Sequence, residues 1–135
     1  MRSLIPLIAG AALVATGAAQ AAPREAPEAK LAKMIEGRVA GEPVDCINLR
    51  NVRSSRIIDD TAIVYDAGGT LYVNRPTAGR ESLDQHDTLV TKTHSTQLCS
   101  IDVVQLYDTG SRMNSGTVFL GKFIPHKRVK TRQRD

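Results

Sequence analysis

The sequence has no tryptophan and only five aromatic side chains in 135 residues: Tyr65, Tyr72, Tyr107, Phe119 and Phe123. A core must therefore rest on Val, Ile and Leu, without the large buried area that aromatic rings supply. Cysteine is equally sparse. Cys46 and Cys99 are the only two, and the absence of a Cys-x-x-Cys pair removes the basis for thiol-oxidoreductase chemistry. There is no Gly-x-Ser-x-Gly elbow, no Gly-rich phosphate loop, no His-x-His and no His-Glu-x-x-His. Serine hydrolases of the α/β type, P-loop nucleotide binders and zinc proteases thus lose their sequence signatures. No internal repeat and no low-complexity run is present.

What is there begins at the N-terminus. Arg2 makes a short positive region, and Leu4 to Ala19 is uncharged and almost wholly apolar or small. Ala19-Gln20-Ala21 fits the small-x-small cleavage rule, which predicts a secretory signal peptide over 1–21, cut after Ala21. The run is too short and too rich in Ala and Gly for a retained spanning helix. No cysteine lies near the cut, so no lipid anchor is expected. The Ala-rich character is of the bacterial type and implies a periplasmic or secreted protein without a transmembrane segment after cleavage.

Residues 22–135 are one domain's worth of chain. A domain this small has a high surface-to-volume ratio and gains from a covalent staple. Disulfides persist in exported compartments, and two cysteines leave one intramolecular pairing, Cys46–Cys99. Closing that loop stabilises the fold by about 4 kcal/mol on chain-entropy grounds.

Residues 22–43 read as a leader and one short helix over about 28–36. Pro27 suits a first turn, Glu28 faces the positive end of the dipole, Leu31, Met34 and Ile35 form one stripe, and Gly37 can stop the helix. From Val44 the pattern becomes strand-like. Runs at 44–48, 56–58, 62–65, 70–74, 88–93, 103–107 and 117–120 predict a mainly β domain over 44–125. Asp59-Asp60-Thr61 and Asp66-Ala67-Gly68-Gly69 supply the turns of a three-strand meander. Arg50, Arg53 and Arg56 form a basic stretch between the first two strands. The spacing implies a small antiparallel barrel or sandwich of about six or seven short strands. Residues 126–135 lack apolar periodicity and read as a disordered basic tail.

Two features could carry chemistry. Asp84, His86, Asp87 and His94 are the densest group of acid–base types, in which His could act as general base and Asp could orient it. Their spacing matches no metal motif, so neither a metal nor a cofactor is expected, and the catalytic candidates His86, Asp87 and His94 are weakly specified. Asp108-Thr109-Gly110-Ser111, after an apolar strand, resembles the signature of aspartic proteases. That chemistry needs two carboxylates sharing a proton, and the chain has one copy. A turn following a strand accounts for the same residues.

The formal charge of +4 is concentrated at the C-terminus, where Lys127, Arg128, Lys130, Arg132 and Arg134 face only Asp135. Such a tail can hold an anionic envelope surface. Nucleic acid is not expected as a partner, since no aromatic platform accompanies the charges.

Cys46-Ile47-Asn48-Leu49-Arg50, Arg56 to Ile63 and Gln97-Leu98-Cys99-Ser100-Ile101-Asp102 resemble small exported proteins of a domain-of-unknown-function family from proteobacteria, sphingomonad-type in particular. Gly68 to Pro76 and Leu120 to Pro125 extend the likeness, which covers about residues 38–125. It implies export and a disulfide-linked β domain, and no activity or catalytic residue. Together these readings lead to an exported, non-enzymatic binding or interaction module whose partner is an unknown protein or envelope component. The alternatives are a small hydrolase or metal-binding protein built on the 84–94 cluster, and an envelope-surface protein held by its basic tail.

Overall fold

The computed structural model describes residues 17–19 and 23–130. The cleavage site after Ala21 and most of the signal segment lie outside the described residues, as do Arg132 and Arg134.

Helix α1 (Pro27–Met34) starts with Pro27 in its first turn, where a missing N–H costs no hydrogen bond. It buries Leu31, with Met34 and Ile35 beside it, on Ile58, Ala62, Val64, Leu71 and Val73. The strands are β1 (Arg38–Ala40), β2 (Cys46–Asn48), β3 (Ser54–Ile58), β4 (Ala62–Asp66), β5 (Thr70–Asn74), β6 (Thr88–Thr91), β7 (Gln97–Cys99), β8 (Val103–Asp108), β9 (Met113–Phe119) and β10 (Phe123–Arg128). A five-stranded antiparallel sheet runs β1-β10-β5-β4-β3, a three-stranded one runs β6-β8-β9, and β2 and β7 form a ribbon.

The architecture is sandwich-like. The second core, between the sheets, joins Ile57, Ile63, Tyr65 and Phe123 to Val104, Leu106 and Val118, with Ile47 and Leu98 entering from the ribbon. Strand β4 has Ala62 to Tyr65 all buried, because the helix covers one face and the second sheet the other. Tyr65 packs edge-on against Phe123 with ring centroids 5.8 Å apart.

The expected disulfide is present. Cys46 and Cys99 are directly opposed, with Cα atoms 4.0 Å apart. Ser100 N–H donates to Asp45 C=O and Leu49 N–H to Thr96 C=O, which makes the cysteines a non-hydrogen-bonded pair, the closer of the two pair types. The Cys99 N–H turns outward and donates to Asp102 Oδ2 at 2.7 Å.

The observed fold departs from the sequence reading in strand number. Among the described residues ten strands form where six or seven were expected, and the added ones are β1, β7 and β10. Residues 126–128 are therefore strand, and the sheet extends beyond 44–125 at both ends. Pro125 does not end the domain. It faces Tyr72 at a non-hydrogen-bonded position and its nitrogen points to the β1 side, where β1 has already ended at Ala40. Its carbonyl still accepts from Gly41 N–H at 2.7 Å. Pairing on both sides overrides the polar composition of His126-Lys127-Arg128.

Candidate functional site

Asp84, His86, Asp87 and His94 do not converge on one site: Asp84 meets His86 in solvent, and His94 lies apart. Asp84 Oδ1 accepts from the His86 backbone N–H at 2.8 Å and lies 2.9 Å from His86 Nδ1. Both side chains are mainly in solvent, at 59% and 80% exposure. The backbone hydrogen bond from His86, then the ring, holds the Asp84 carboxyl below the usual range. Asp87 accepts instead from the Ser115 hydroxyl on β9. His94 sits in the exposed loop between β6 and β7, beyond the opposite end of β6 from His86. A shallow depression gathers Asp59, Asp60, Glu81, Asp84, Asp87 and Asp108, and no histidine lines it. Among the described residues, no group of three or more His, Cys, Asp or Glu is arranged to hold a metal ion.

Asp108 is a turn residue. Its Oδ1 accepts from Gly110 N–H at 2.8 Å, and hydrogen bonds from Ser111 and Gly110 lower its carboxyl pKa. This is the Asx-turn geometry of a hairpin end.

The basic stretch at the C-terminus is divided. Lys127 and Arg128 are successive residues of β10, so they point to opposite faces of the sheet. Arg128 shares its face with its register partner Arg38, and Lys127 with Val39 and Thr70.

A larger concavity than the acidic depression lies elsewhere. A groove of about 660 Å³ runs between β3 and β6, walled by Lys30, Lys33 and Met34 of α1. Both strands are sheet edges, each paired on one side only. Ala67 N–H donates to Thr70 C=O, which sets the parity of the β4–β5 ladder. Ala62, Val64 and Asp66 therefore face β3, and the Ser55 and Ile57 main-chain groups point outward into the groove. Leu120 N–H to Asp102 C=O sets the opposite sheet in the same way and turns the Leu89 main chain outward. The groove thus presents main-chain donors and acceptors on two sides, apolar Ile57 and half-buried Leu89, the cations Lys30, Lys33 and Arg56, and the carboxylates Glu25 and Asp87. Lys33 is paired with Glu25 at 2.6 Å and Lys30 donates to Gln85 at 3.2 Å.

Of the groove residues, the sequence had singled out Met34 only as part of the helix stripe, Arg56 and Ile57 only as part of a basic stretch and a short strand, and Asp87 only as an acid–base candidate. The one available signal was that 56–58 is a short strand with a single tight neighbour, which leaves an open edge. Among the described residues, no helix is long and apolar enough to cross a membrane. No family model, curated protein or solved structure matches this chain.

Proposed function

We propose that the chain is an exported, non-enzymatic binding module that takes up an extended polypeptide segment in the groove between β3 and β6. The observation that carries this reading is the pair of unpaired strand edges facing one concavity. An exposed edge is a template for strand addition: main-chain hydrogen bonds give affinity, and pockets for alternate side chains give selectivity. Ile57, Leu89 and Met34 offer the apolar contacts; with Lys33 paired to Glu25, Lys30 and Arg56 outweigh Asp87 by one charge and favour an acidic side chain on the α1 and β3 side of the groove. Export is supported by the N-terminal sequence pattern, by the disulfide and by the resemblance of residues 38–125 to exported proteobacterial proteins. The hydrolase reading finds no support in the geometry, because His86 and His94 lie at opposite ends of β6 and neither is enclosed.

Selection of peptides from a random displayed library on the oxidised protein tests the proposal, with Ser55→Pro as the counter-target. Ser55 N–H faces the groove and not β4, so proline removes an edge donor without removing a ladder bond. The expected peptides bind the native protein, lose binding to Ser55→Pro and to Leu89→Lys, and weaken when alternate amides are N-methylated. A library that yields no binder sensitive to these changes contradicts the proposal.

A further inference from the structure

At the far end of β3 from the β3–β4 turn lies a second, smaller notch of about 350 Å³. It is built by the turn that follows the disulfide ribbon. Asn48 Oδ1 accepts from Arg50 N–H at 3.0 Å, and Val52 N–H donates to Leu49 C=O at 3.2 Å, closing a 3₁₀ turn over Leu49–Asn51. Leu49 and Val52, three apart, pack inward on the core. Arg50, Asn51 and Arg53 are therefore left pointing out. Arg53 N–H donates to Asp66 C=O at 2.7 Å, which fixes the end of the turn on β4. The opposite wall comes from the sheet, with Thr70 and Tyr72 of β5.

The composition of this notch is one-sided. Two guanidinium groups, two side-chain amides, a hydroxyl and a phenol line it, and no carboxylate does. Asp66, the nearest acid in sequence to the wall, belongs to the other face of the sheet, beside Arg38 and Val64. Among the described residues, neither Arg50 nor Arg53 makes a side-chain hydrogen bond or ion pair. The Arg53 guanidinium lies about 3.8 Å from where a Cβ on Gly68 would sit, so it rests over the β4–β5 turn. Lys127 is the register partner of Thr70 and adds a third cation on the same face.

We infer that this notch binds a phosphate-type oxyanion between Arg50 and Arg53, with Asn48, Asn51 and Thr70 as neutral partners and Lys127 supplying charge at the rim. Guanidinium groups in a fixed fork match phosphate oxygens in paired hydrogen bonds, which a lysine cannot reproduce. The site is independent of the β3–β6 groove, and the rigid elements that carry it are the ribbon held by Cys46–Cys99 and the β4–β5 hairpin.

Calorimetric titration with pyrophosphate at low ionic strength, in parallel with flotation on phosphatidylglycerol vesicles, tests the inference. Binding is expected to saturate at one site, and to weaken about tenfold or more in Arg50→Gln and in Arg53→Gln. Arg53→Lys is expected to lose most of the same affinity. Arg112→Gln, on the β8–β9 turn, removes one charge away from the notch and should leave binding unchanged. Amide shifts should map to Asn48, Asn51 and Thr70. Arg50- and Arg53-dependent binding of pyrophosphate alone assigns the site to a soluble phosphate compound. The same dependence on vesicles alone assigns it to phosphate presented on a lipid. Binding of neither probe, or equal weakening in Arg112→Gln, overturns the inference. All four substitutions are at three exposed side chains, so an unchanged melting midpoint separates lost binding from lost fold.

Discussion

Asn74→Ala is the substitution whose cost the structure fixes most closely. Asn74 is fully buried, and its side chain imitates a peptide group. Its Nδ2 donates to Gly121 C=O at 2.7 Å, and its Oδ1 accepts from Gly121 N–H at 3.0 Å. Gly121 lies on the link from β9 to β10, where the chain crosses from the three-stranded to the five-stranded sheet. A Cβ there would come within 2.5 Å of Arg75 C=O, so this backbone sits too close to its neighbours for another residue or a rescuing shift. Truncating Asn74 leaves two buried main-chain groups unpaired, at about 1–3 kcal/mol each. A loss of about 2–6 kcal/mol follows. That is a large part of the 5–15 kcal/mol typical of a domain, and it should lower the melting midpoint by more than about 10 °C. Urea unfolding followed by circular dichroism measures it. A loss below about 1 kcal/mol would refute the claim that this amide pins the two sheets together.

Reduction of Cys46–Cys99 should destabilise the protein by about 4 kcal/mol in the same assay, because the bridge spans a sequence separation of 53; an unchanged urea midpoint with the bridge reduced would contradict it. Tyr65→Phe should have the opposite sign. Among the described residues the Tyr65 hydroxyl is buried without a partner, and burial pushes its pKa up, so removing it should be neutral or stabilise by about 1 kcal/mol; a clear destabilisation would show a hidden partner. His126 on β10 has its pKa lowered from 6.5, first by desolvation and then by Arg38. With the folded pKa below the unfolded one, its contribution is complete above pH 6.5 and is lost as pH falls through that value toward the folded pKa. A melting-midpoint scan from neutral to acid should show a decline that shrinks in His126→Gln, and identical profiles would remove His126 as its source.

The parts of the fold legible in the sequence were those whose local and tertiary signals agree. The 56–74 meander has apolar runs separated by Asp- and Gly-containing turns, and it forms as β3, β4 and β5 with Gly68 at φ 79°. The helix was visible from Pro27, Glu28 and the Leu31 stripe, and ends at Met34, two residues earlier than the spacing suggested. The missed strands depend on distant partners. Arg38–Ala40 and His126–Arg128 have polar or mixed composition, and only their mutual pairing and that with β5 make them strand. Gln97–Cys99 is three residues long and exists because β2 and the disulfide hold it. Sequence proximity also misled at 84–94. Residues close along the chain were separated by the length of β6, whereas Arg50, Thr70 and Lys127, far apart in sequence, border one notch. The outward positions of Arg50 and Arg53 could have been read from Leu49 and Val52 facing inward. The wall opposite them could not, since it is set by the register of β5.

Amide hydrogen exchange with a selected library peptide bound tests the binding-module reading most directly. The predicted result is slowed exchange at Ser55 and Ile57 on β3 and at Leu89 on β6, the three amides directed into the groove, by about tenfold or more as an added strand pairs with them. Protection confined to the Asp84–His86 region, or absent from both strand edges while the peptide is bound, would contradict it.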